Sequence, residues 1–357
     1  MADSERDSEL NEACPIEFGI YTLGDLSPNP VTGSALTAQQ RIREVIDAAV
    51  LADRAGIDVF GVGEHHRLDF AISSPPVLLA AVAQATKRIK LTSATTVLAT
   101  SDPVRIFEDF ATLDLLSDGR AEMIAGRGAY IESFPLFGYE VDDSAELLRE
   151  NLDLFRELNE KEIVSWEGKF RSALLNAEIA PRPVQPKLPL WLGVGGTSSS
   201  AALAGSMGAG MAIAILGGDP HAFRHLADTY REAGQAAGHR PEDLRIGITG
   251  HCYIADDSKR ARDEFYPHYA HYYSHFMGRP ELTREQFEQL TGADTALAVG
   301  SAEEVAEKWI KQHELFGTCR FMAQFDIGGL PFEQVARAIE LLAEKVAPAV
   351  RKAIGSK

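Results

Sequence analysis

The sequence predicts a single α/β domain in which eight parallel strands alternate with helices to form a (β/α)8 TIM barrel. Short apolar runs of strand type alternate with longer segments of helical periodicity along almost the whole chain. There are eight such runs, the number that closes a barrel of this kind. The chain has 357 residues and shows no repeat, low-complexity tract or linker, so one large domain is favoured over two.

The predicted strands are defined by their apolar content and by the turn residues that flank them. In chain order they span residues 16–22, 58–64, 89–98, 121–128, 189–196, 210–216, 244–255 and 320–325.

Capping residues mark where several helices begin and end. Asp102-Pro103 and Asp219-Pro220 pair a side-chain acceptor with a proline at the first helical position. Ser301 and Glu304 have the spacing of a capping box. The string Ser117-Asp118-Gly119-Arg120 ends the third helix and turns into a strand. In the last helix, apolar residues recur at helical spacing between Phe332 and Val350, which predicts a core-facing stripe.

Two insertions are predicted in the barrel domain, which we assign to residues 15–357 after a polar tail at residues 1–14. The first insertion follows strand four at residues 166–187, where three prolines favour extended chain. The second follows strand seven at residues 256–294 and is rich in tyrosine and histidine. Both exceed ordinary loop lengths, so a functional role is expected for them.

Composition excludes several function classes. The formal net charge is −17 and no basic stripe offsets it, so nucleic acid is not an expected partner. No apolar stretch reaches the about 18 residues of a membrane-spanning helix. The chain has three cysteines, Cys14, Cys252 and Cys319, which are far apart and form no CxxC pair, so we expect a cytoplasmic protein without a cysteine metal site.

The string Glu64-His65-His66 ends the second predicted strand, at the barrel mouth where this fold places its chemistry. His65 points away from the side taken by its neighbours and is a candidate general base or hydrogen-bond donor. A structural histidine bonded to a loop is the alternative. A zinc site is disfavoured because HExxH spacing is absent.

Arg127 stands between Gly126 and Gly128 at the end of the fourth predicted strand. The neighbouring glycines let a ligand approach the backbone, and a guanidinium held there can bind phosphate through two parallel hydrogen bonds. The alternative is an ordinary surface ion pair.

A third candidate begins at Gly195-Gly196-Thr197, where the fifth predicted strand runs into a helix. Backbone N–H groups, the positive end of the helix dipole and the hydroxyls of Thr197 and Ser200 would make a phosphate cradle. A plain helix cap by Thr197 or Ser198 is the alternative. The spacing is not GxGxxG and no acidic ribose-binding residue follows, so a mononucleotide is favoured over a dinucleotide.

Taken in order, these strings resemble the bacterial luciferase-like flavin monooxygenases, in particular the branch of the alkanal monooxygenase α chain. The resemblance runs from about residue 16 to residue 350 and is most specific between residues 92 and 154. The strings that carry it are Glu64-His65-His66, residues 94–100, Asp102-Pro103-Val104-Arg105, residues 117–120, Gly126-Arg127-Gly128 and residues 189–193.

The resemblance implies a role for each matching residue. His65 would be the active-site histidine beside the flavin ring, and Tyr130 would match a catalytic-site tyrosine, with a packing role as the alternative. Ala94-Thr95 would form a nonproline cis peptide under the isoalloxazine. The cofactor-binding positions that the resemblance implies are Ala94, Thr95, Arg127, Gly128, Val194, Gly195, Gly196, Thr197 and Ser200.

The activity that the resemblance implies is monooxygenation of a small organic substrate by dioxygen and reduced FMN, through a flavin 4a-hydroperoxide. A separate reductase would supply reduced FMN, because no nicotinamide-binding fingerprint is visible, and a homodimer is implied by analogy. The rivals are a deazaflavin-dependent dehydrogenase on the same barrel and a noncatalytic flavin-binding partner subunit. Gly126 and Gly196 replace a reactive cysteine and a glutamate of luciferase, which weakens any expectation of light emission.

The Tyr/His-rich insertion matches a mobile loop after the seventh strand in similar proteins, so a lid that lines the pocket and excludes water is expected there. His268, His271 and His275 could share a helical face. A metal site on that face is disfavoured because no carboxylate partner is placed beside it.

Overall fold

The computed structural model describes residues 15–355, so the predicted polar tail at 1–14 lies outside the described residues. Within this range the structure contains twelve strands. They are β1 Glu17–Thr22, β2 Val59–Val62, β3 Lys90–Ser93, β4 Thr96–Val97, β5 Ala121–Gly126, β6 Ile163–Trp166, β7 Leu174–Glu178, β8 Leu190–Val194, β9 Gly210–Ala214, β10 Ile246–Ile254, β11 Ala298–Gly300 and β12 Arg320–Gln324.

Eight of these strands close into a parallel barrel in the order β1, β2, β3, β5, β8, β9, β10 and β12. The sheet closes where β9 pairs with β10, with Met211 opposite Ile246, and where β12 pairs with β1, with Arg320 opposite Glu17. All eight predicted strands are present, and the predicted (β/α)8 barrel is confirmed. The short strand β4 continues β3 after a two-residue interruption and pairs with β5.

Helices pack around the outside of the barrel, as the alternation of apolar patterns predicts. They are α1 Ala38–Ala55, α2 Pro75–Ala85, α3 Pro103–Leu116, α4 Ser133–Phe137, α5 Ser144–Glu160, α6 Ser198–Ser206, α7 Arg224–Ala236, α8 Ser258–His275, α9 Arg284–Leu290, α10 Ala302–Phe316, α11 Phe332–Leu341 and α12 Ala347–Gly355. No helix within residues 15–355 combines the length and the apolar character needed to cross a membrane.

The capping signals act largely as predicted. The Asp102 side chain accepts hydrogen bonds from the backbone N–H groups of residues 104 and 105, and α3 begins at the following proline. Ser301 accepts from the N–H of Glu304 at the start of α10, but the predicted capping box is incomplete because the Ser301 N–H donates to the Ser258 hydroxyl instead of to Glu304. Asp219 also caps its proline, but the segment it starts is a 3-10 turn that leads into α7. At the end of α3, Asp118 takes a positive φ of 54° and the chain reverses toward β5.

Both predicted insertions have ordered structure of their own. The first overlaps an antiparallel hairpin, β6 with β7, after which the proline-rich segment returns to β8 without regular secondary structure and with bends at residues 184–187. The second consists mainly of α8, which contains Pro267 in its interior, followed by α9. The strand β11, which follows this insertion and pairs with β10, is a structural addition that periodicity did not predict.

The amino-terminal end of the barrel is held by a buried ion cluster around Arg320. Its guanidinium donates to the carboxylate of Glu17, which begins the neighbouring strand β1, and to that of Glu122, which lies near the start of β5 on the opposite side of the barrel. The guanidinium carbon also lies 4.4 Å from the ring centroid of Trp191. The Arg320 and Glu122 side chains are almost completely buried, so each depends on the other for charge compensation.

We expect Arg320→Ala to lower the free energy of unfolding by about 3–5 kcal/mol, because it leaves the buried Glu122 carboxylate without its cation. Urea denaturation followed by circular dichroism measures the change. The matched control is Arg105→Ala, which removes an exposed ion pair with Glu108 and should leave the midpoint almost unchanged. Equal midpoints for the two variants would contradict the role given to this cluster.

Candidate functional site

A pocket of about 540 Å³ opens at the carboxyl ends of the barrel strands. This is the end at which barrels of this fold assemble their sites from strand ends and loops. Its wall includes residues that follow β2, β3, β5 and β8, which are neighbours in the barrel. On the far side it is lined by residues of β10 and β12 and by the end of α8.

The Ala94-Thr95 peptide bond is cis and lies in the pocket wall just after β3. Two glycines make room for the Thr95 side chain. A Cβ atom built on Gly126 would lie 3.2 Å from Thr95 Oγ1, and one built on Gly193 would lie 3.0 Å from Thr95 Cγ2. The absence of side chains at these two positions therefore lets β5 and β8 close on Thr95, which forms a tightly packed shelf.

A buried carboxylate holds this shelf against the second strand. One oxygen of Glu64 accepts a hydrogen bond from the backbone N–H of Val97 at 2.9 Å, just beyond the cis peptide. The other lies 2.9 Å from Nε2 of His66. Glu64 and His66 therefore face one another, while His65 between them has its own surroundings. The sequence pattern located these residues but did not reveal the tether to Val97.

His65 lines the pocket with its imidazole packed against aromatic rings. Its ring centroid lies 4.2 Å from that of Phe70 and 5.1 Å from that of Tyr130. Burial, reinforced by the positive charge of Arg67, lowers the pKa of His65 to about 4. The imidazole is therefore neutral near pH 7 and can serve as a hydrogen-bond donor or acceptor, but not as a standing positive charge.

Tyr130 also lines the pocket, and its hydroxyl is engaged. It donates a hydrogen bond to the backbone carbonyl of Phe276 at 2.8 Å, which ties the loop after β5 to the end of α8. The Arg67 guanidinium carbon lies 4.6 Å from the centre of the tyrosine ring. Burial raises the pKa of the Tyr130 phenol, so it stays protonated. These contacts favour the packing alternative for Tyr130 over direct proton transfer.

Arg127 and the start of α6 form a second end of the pocket. Arg127 is exposed and has no hydrogen-bond or ion-pair partner within residues 15–355, so the surface ion pair considered as the alternative is not formed there. Thr197 precedes α6, yet its side chain accepts no hydrogen bond from the helix N–H groups. Its hydroxyl instead lies 2.8 Å from that of Ser200. A helix amino terminus, two hydroxyls and an unpaired guanidinium thus lie at adjacent strand ends.

Nine of the predicted site residues meet in this pocket. They are His65, Ala94, Thr95, Arg127, Gly128, Tyr130, Val194, Gly195 and Ser200. Gly196 and Thr197 are not among the lining residues and reach the site only through their neighbours. Open space surrounds Gly195 and Gly196, since a Cβ built on either one meets no atom within 4 Å.

The side of the pocket opposite this cradle carries polar residues that the sequence patterns did not single out. His251, Tyr272 and Gln324 are buried and line it together. His251 and Gln324 are polar residues inside the apolar runs 244–255 and 320–325 that predict strands. A polar residue in such a run, toward its carboxyl end, is a sequence pattern that could have indicated a site residue. Tyr272 lies in the second insertion, and no local pattern distinguishes it from the other tyrosines there.

The end of the second insertion lines the pocket, as was expected for part of it. Tyr272, Phe276, Met277 and Arg279 all contribute to the wall. The histidines of α8 do not form a metal site: Nδ1 of His268 lies 2.9 Å from the carbonyl of Gly328, and His271 stacks on His275. Within the described residues no group of three or more His, Cys, Asp and Glu side chains could hold a metal ion.

The lowered pKa of His65 gives a prediction for its titration. Between pH 8 and about 5.5 the imidazole should stay neutral, with a midpoint at about 4. Because the unfolded chain binds this proton more readily, this group's contribution to stability decreases as the pH falls from about 6.5 toward 4. Long-range ¹H–¹⁵N NMR, with the signal assigned through His65→Gln, measures the midpoint. A value above 6 would contradict the buried environment described for this ring.

The chain is similar to known proteins over most of its length. The family model for luciferase-like monooxygenases matches residues 16–347. The oxygenase component of the flavin-dependent trigonelline monooxygenase of Acinetobacter baylyi is 26% identical over 88% of this chain and 91% of its own length. An F420-dependent glucose-6-phosphate dehydrogenase of Amycolatopsis mediterranei is 27% identical over 75% of this chain and 80% of its own.

A solved structure has the same fold. The oxygenating constituent of 3,6-diketocamphane monooxygenase from Pseudomonas putida, in complex with FMN, superposes with a TM-score of 0.76 at 21% identity. The alignment covers 94% of this chain and 98% of that one. Since the family model spans nearly the whole barrel, this chain belongs to the luciferase-like monooxygenase family.

Proposed function

We propose that this protein is the oxygenase component of an FMN-dependent monooxygenase, which uses reduced FMN and dioxygen to oxidise a small organic substrate. The proposal rests on the Arg127 guanidinium, which has no hydrogen-bond or ion-pair partner within residues 15–355. It lies with the uncapped start of α6 at one end of a pocket that also contains the packed Ala94-Thr95 shelf. A guanidinium, hydroxyls and helix N–H groups together suit a terminal phosphate. The shelf at Ala94-Thr95 suits a flat ring.

The relatives support this proposal. The trigonelline enzyme is named as a flavin-dependent oxygenase component, and the diketocamphane enzyme is described in complex with FMN. An oxygenase component implies a separate reductase as the source of reduced FMN, which we propose here as well. The homodimer implied by analogy also remains a proposal. Exposed Val77, Leu115 and Leu116 on the neighbouring helices α2 and α3 offer apolar surface for it.

In this proposal the protein binds, orients and shields the cofactor, while reduced FMN supplies the capacity to activate dioxygen. Arg127, Ser200 and the start of α6 would hold the phosphate, with Thr197 orienting the Ser200 hydroxyl at 2.8 Å. Ala94 and Thr95 would support the ring. Glu64 keeps that support in place through its bond to the Val97 N–H.

We assign His65 the role of a neutral hydrogen-bonding group beside the reacting part of the ring. Its imidazole can donate a proton from one nitrogen and accept one at the other without first losing a charge. Tyr130 has a positioning role, because its hydroxyl holds the Phe276 carbonyl and with it the end of α8 over the pocket. Phe276 and Met277 would then exclude water from the cofactor.

A deazaflavin-dependent dehydrogenase is the second candidate, favoured by the similarity to the F420-dependent enzyme. It would use the same shelf and cradle for hydride transfer and would not consume dioxygen. Equilibrium titration of the apoprotein with FMN and with the deazaflavin cofactor separates the two candidates. Binding of the deazaflavin alone would contradict the proposed function.

Removal of the proposed phosphate anchor should weaken FMN binding. We expect Arg127→Ala to lose about 1.5–3 kcal/mol of binding free energy, the value of a hydrogen bond to a charged group. Arg127→Lys should lose less, because it keeps the charge without the planar fork. Fluorescence titration measures each dissociation constant, and Arg224→Ala, at an exposed arginine outside the pocket, is the matched control. An unchanged affinity in Arg127→Ala would remove this residue from the site.

If His65 has the proposed role, its removal should lower the rate of the reaction with dioxygen without lowering the affinity for FMN. We expect His65→Ala to retain FMN but to slow or uncouple the reaction of the reduced complex with dioxygen by about 10²-fold or more. Stopped-flow absorbance of the flavin measures the rates. His271→Ala removes a histidine outside the pocket and should behave as the unmodified protein does. The same flavin kinetics in both variants would favour a noncatalytic flavin-binding subunit.

A further inference from the structure

Gln324 is the least satisfied polar residue in the pocket. It lies at the end of β12, is 1% exposed and lines the cavity. Neither its amide nitrogen nor its amide oxygen has a hydrogen-bond partner among the described residues. The Tyr272 side chain interacts with this amide, and the interaction opposes the rise that burial causes in the Tyr272 pKa. A buried amide without a well-aligned partner is costly, so Gln324 is a candidate to bond to a group bound in the pocket.

Two further polar side chains stand beside it. His251, near the end of β10, lines the pocket, and its Nδ1 lies 3.4 Å from the hydroxyl of Tyr269. The His251 and Tyr272 ring centroids are 5.6 Å apart in an edge-to-face arrangement. We call His251, Tyr272 and Gln324 the polar floor. Together they offer an amide donor, an amide acceptor, an imidazole nitrogen and a phenol.

The polar floor carries no charge near pH 7. Complete burial lowers the pKa of His251 to about 3, so its imidazole is neutral. Burial also raises the pKa of Tyr272 well above its usual value, so its phenol keeps its proton. The charged residues that line the pocket are Glu64, which is bonded to Val97 and His66, and Arg127 and Arg279, which are both exposed, whereas the floor is buried. An ionised ligand group would therefore find no countercharge at the floor.

Barrel topology separates the floor from the proposed cofactor site. In the closed order of eight strands, β12 lies four places from β5, which Arg127 directly follows. Likewise, β10 lies four places from β3, which the Ala94-Thr95 shelf directly follows. The floor therefore faces the proposed cofactor positions from across the barrel. Between the two sides the wall is largely apolar, with Ile124, Leu192, Ala212 and Leu216 among its residues.

We propose that His251, Tyr272 and Gln324 form the substrate-recognition subsite, and that it takes an uncharged carbonyl or amide group borne on an apolar organic body. This inference rests on the proposed function, since it assigns the opposite side of the pocket to a flavin. The Gln324 amide N–H and the Tyr272 hydroxyl donate to the substrate oxygen. The Gln324 carbonyl and the His251 imidazole remain for an amide N–H where the substrate has one. The apolar wall contacts the rest of the molecule.

The test uses three probes of one shape: 2-tetralone, its hydrocarbon analogue tetralin, and tetralin-2-carboxylate. Each is titrated calorimetrically into the protein loaded with oxidised FMN, so that no turnover is needed. The unmodified protein should bind the ketone about tenfold more tightly than the hydrocarbon, and the carboxylate more weakly than either. In Gln324→Met the methionine side chain has nearly the same shape as glutamine but carries no amide. It should bind the ketone only as tightly as the hydrocarbon and leave FMN affinity unchanged.

Matched variants make the result specific. Gln334→Met removes another glutamine whose side-chain oxygen has no partner, but one that lies outside the pocket, and it should keep the ketone preference. Tyr272→Phe removes a single oxygen and should reduce the preference about threefold, which keeps the test available if Gln324→Met fails to fold.

Three results would overturn the proposal. The first is that the unmodified protein does not bind the ketone, or binds it no more tightly than the hydrocarbon. The second is that folded Gln324→Met and Tyr272→Phe keep the full preference for the ketone. The third is that the carboxylate binds more tightly than the ketone. Loss of FMN affinity in Gln324→Met with the preference intact would instead assign the amide to the flavin. If the unmodified protein binds no FMN, the proposed function fails. In that case, titration of the three probes into the protein without FMN still decides whether the polar floor binds the ketone more tightly than the hydrocarbon.

Discussion

Closure of the sheet between β9 and β10 is the constraint on which the rest of the structure depends. Parallel strands have their carboxyl ends at one edge, and closure turns that edge into a ring around a single pocket. In an open sheet, β5 and β12 would lie far apart. In the closed barrel these two strands face one another, so Arg127 and Gln324 line opposite sides of one pocket.

The two sides of that space differ in their chemistry. One side has a guanidinium with no partner in the described chain, hydroxyls and an uncapped helix start, which suit an anion. The other has an amide, a neutral imidazole and a protonated phenol, which suit an uncharged polar group. Glu64 and Thr95 hold the wall that connects them, because the carboxylate fixes Val97 and the two glycines admit the threonine.

Much of this arrangement could be predicted from the sequence, since it depends on local patterns. Apolar runs predicted all eight barrel strands, and the Gly126-Arg127-Gly128 string predicted a cationic residue at a strand end. The parts that were missed depend on contacts between distant segments. The bond from Val97 to Glu64 spans 33 residues, and Tyr272 meets Gln324 only because α8 returns over the barrel. Thr197 had the pattern of a helix cap, but its hydroxyl bonds to Ser200 instead, which only the structure reveals.

We propose that one flavin spans the pocket from Arg127 to the Ala94-Thr95 shelf and leaves the polar floor to the substrate. The most direct test of this arrangement is the structure of a crystal of the protein that has been soaked in FMN. We expect the phosphate within hydrogen-bond distance of Arg127 and Ser200, the ring against Ala94-Thr95 with His65 beside it, and no contact between Gln324 and the flavin. A phosphate bound elsewhere, or a ring that covers Gln324, would contradict it.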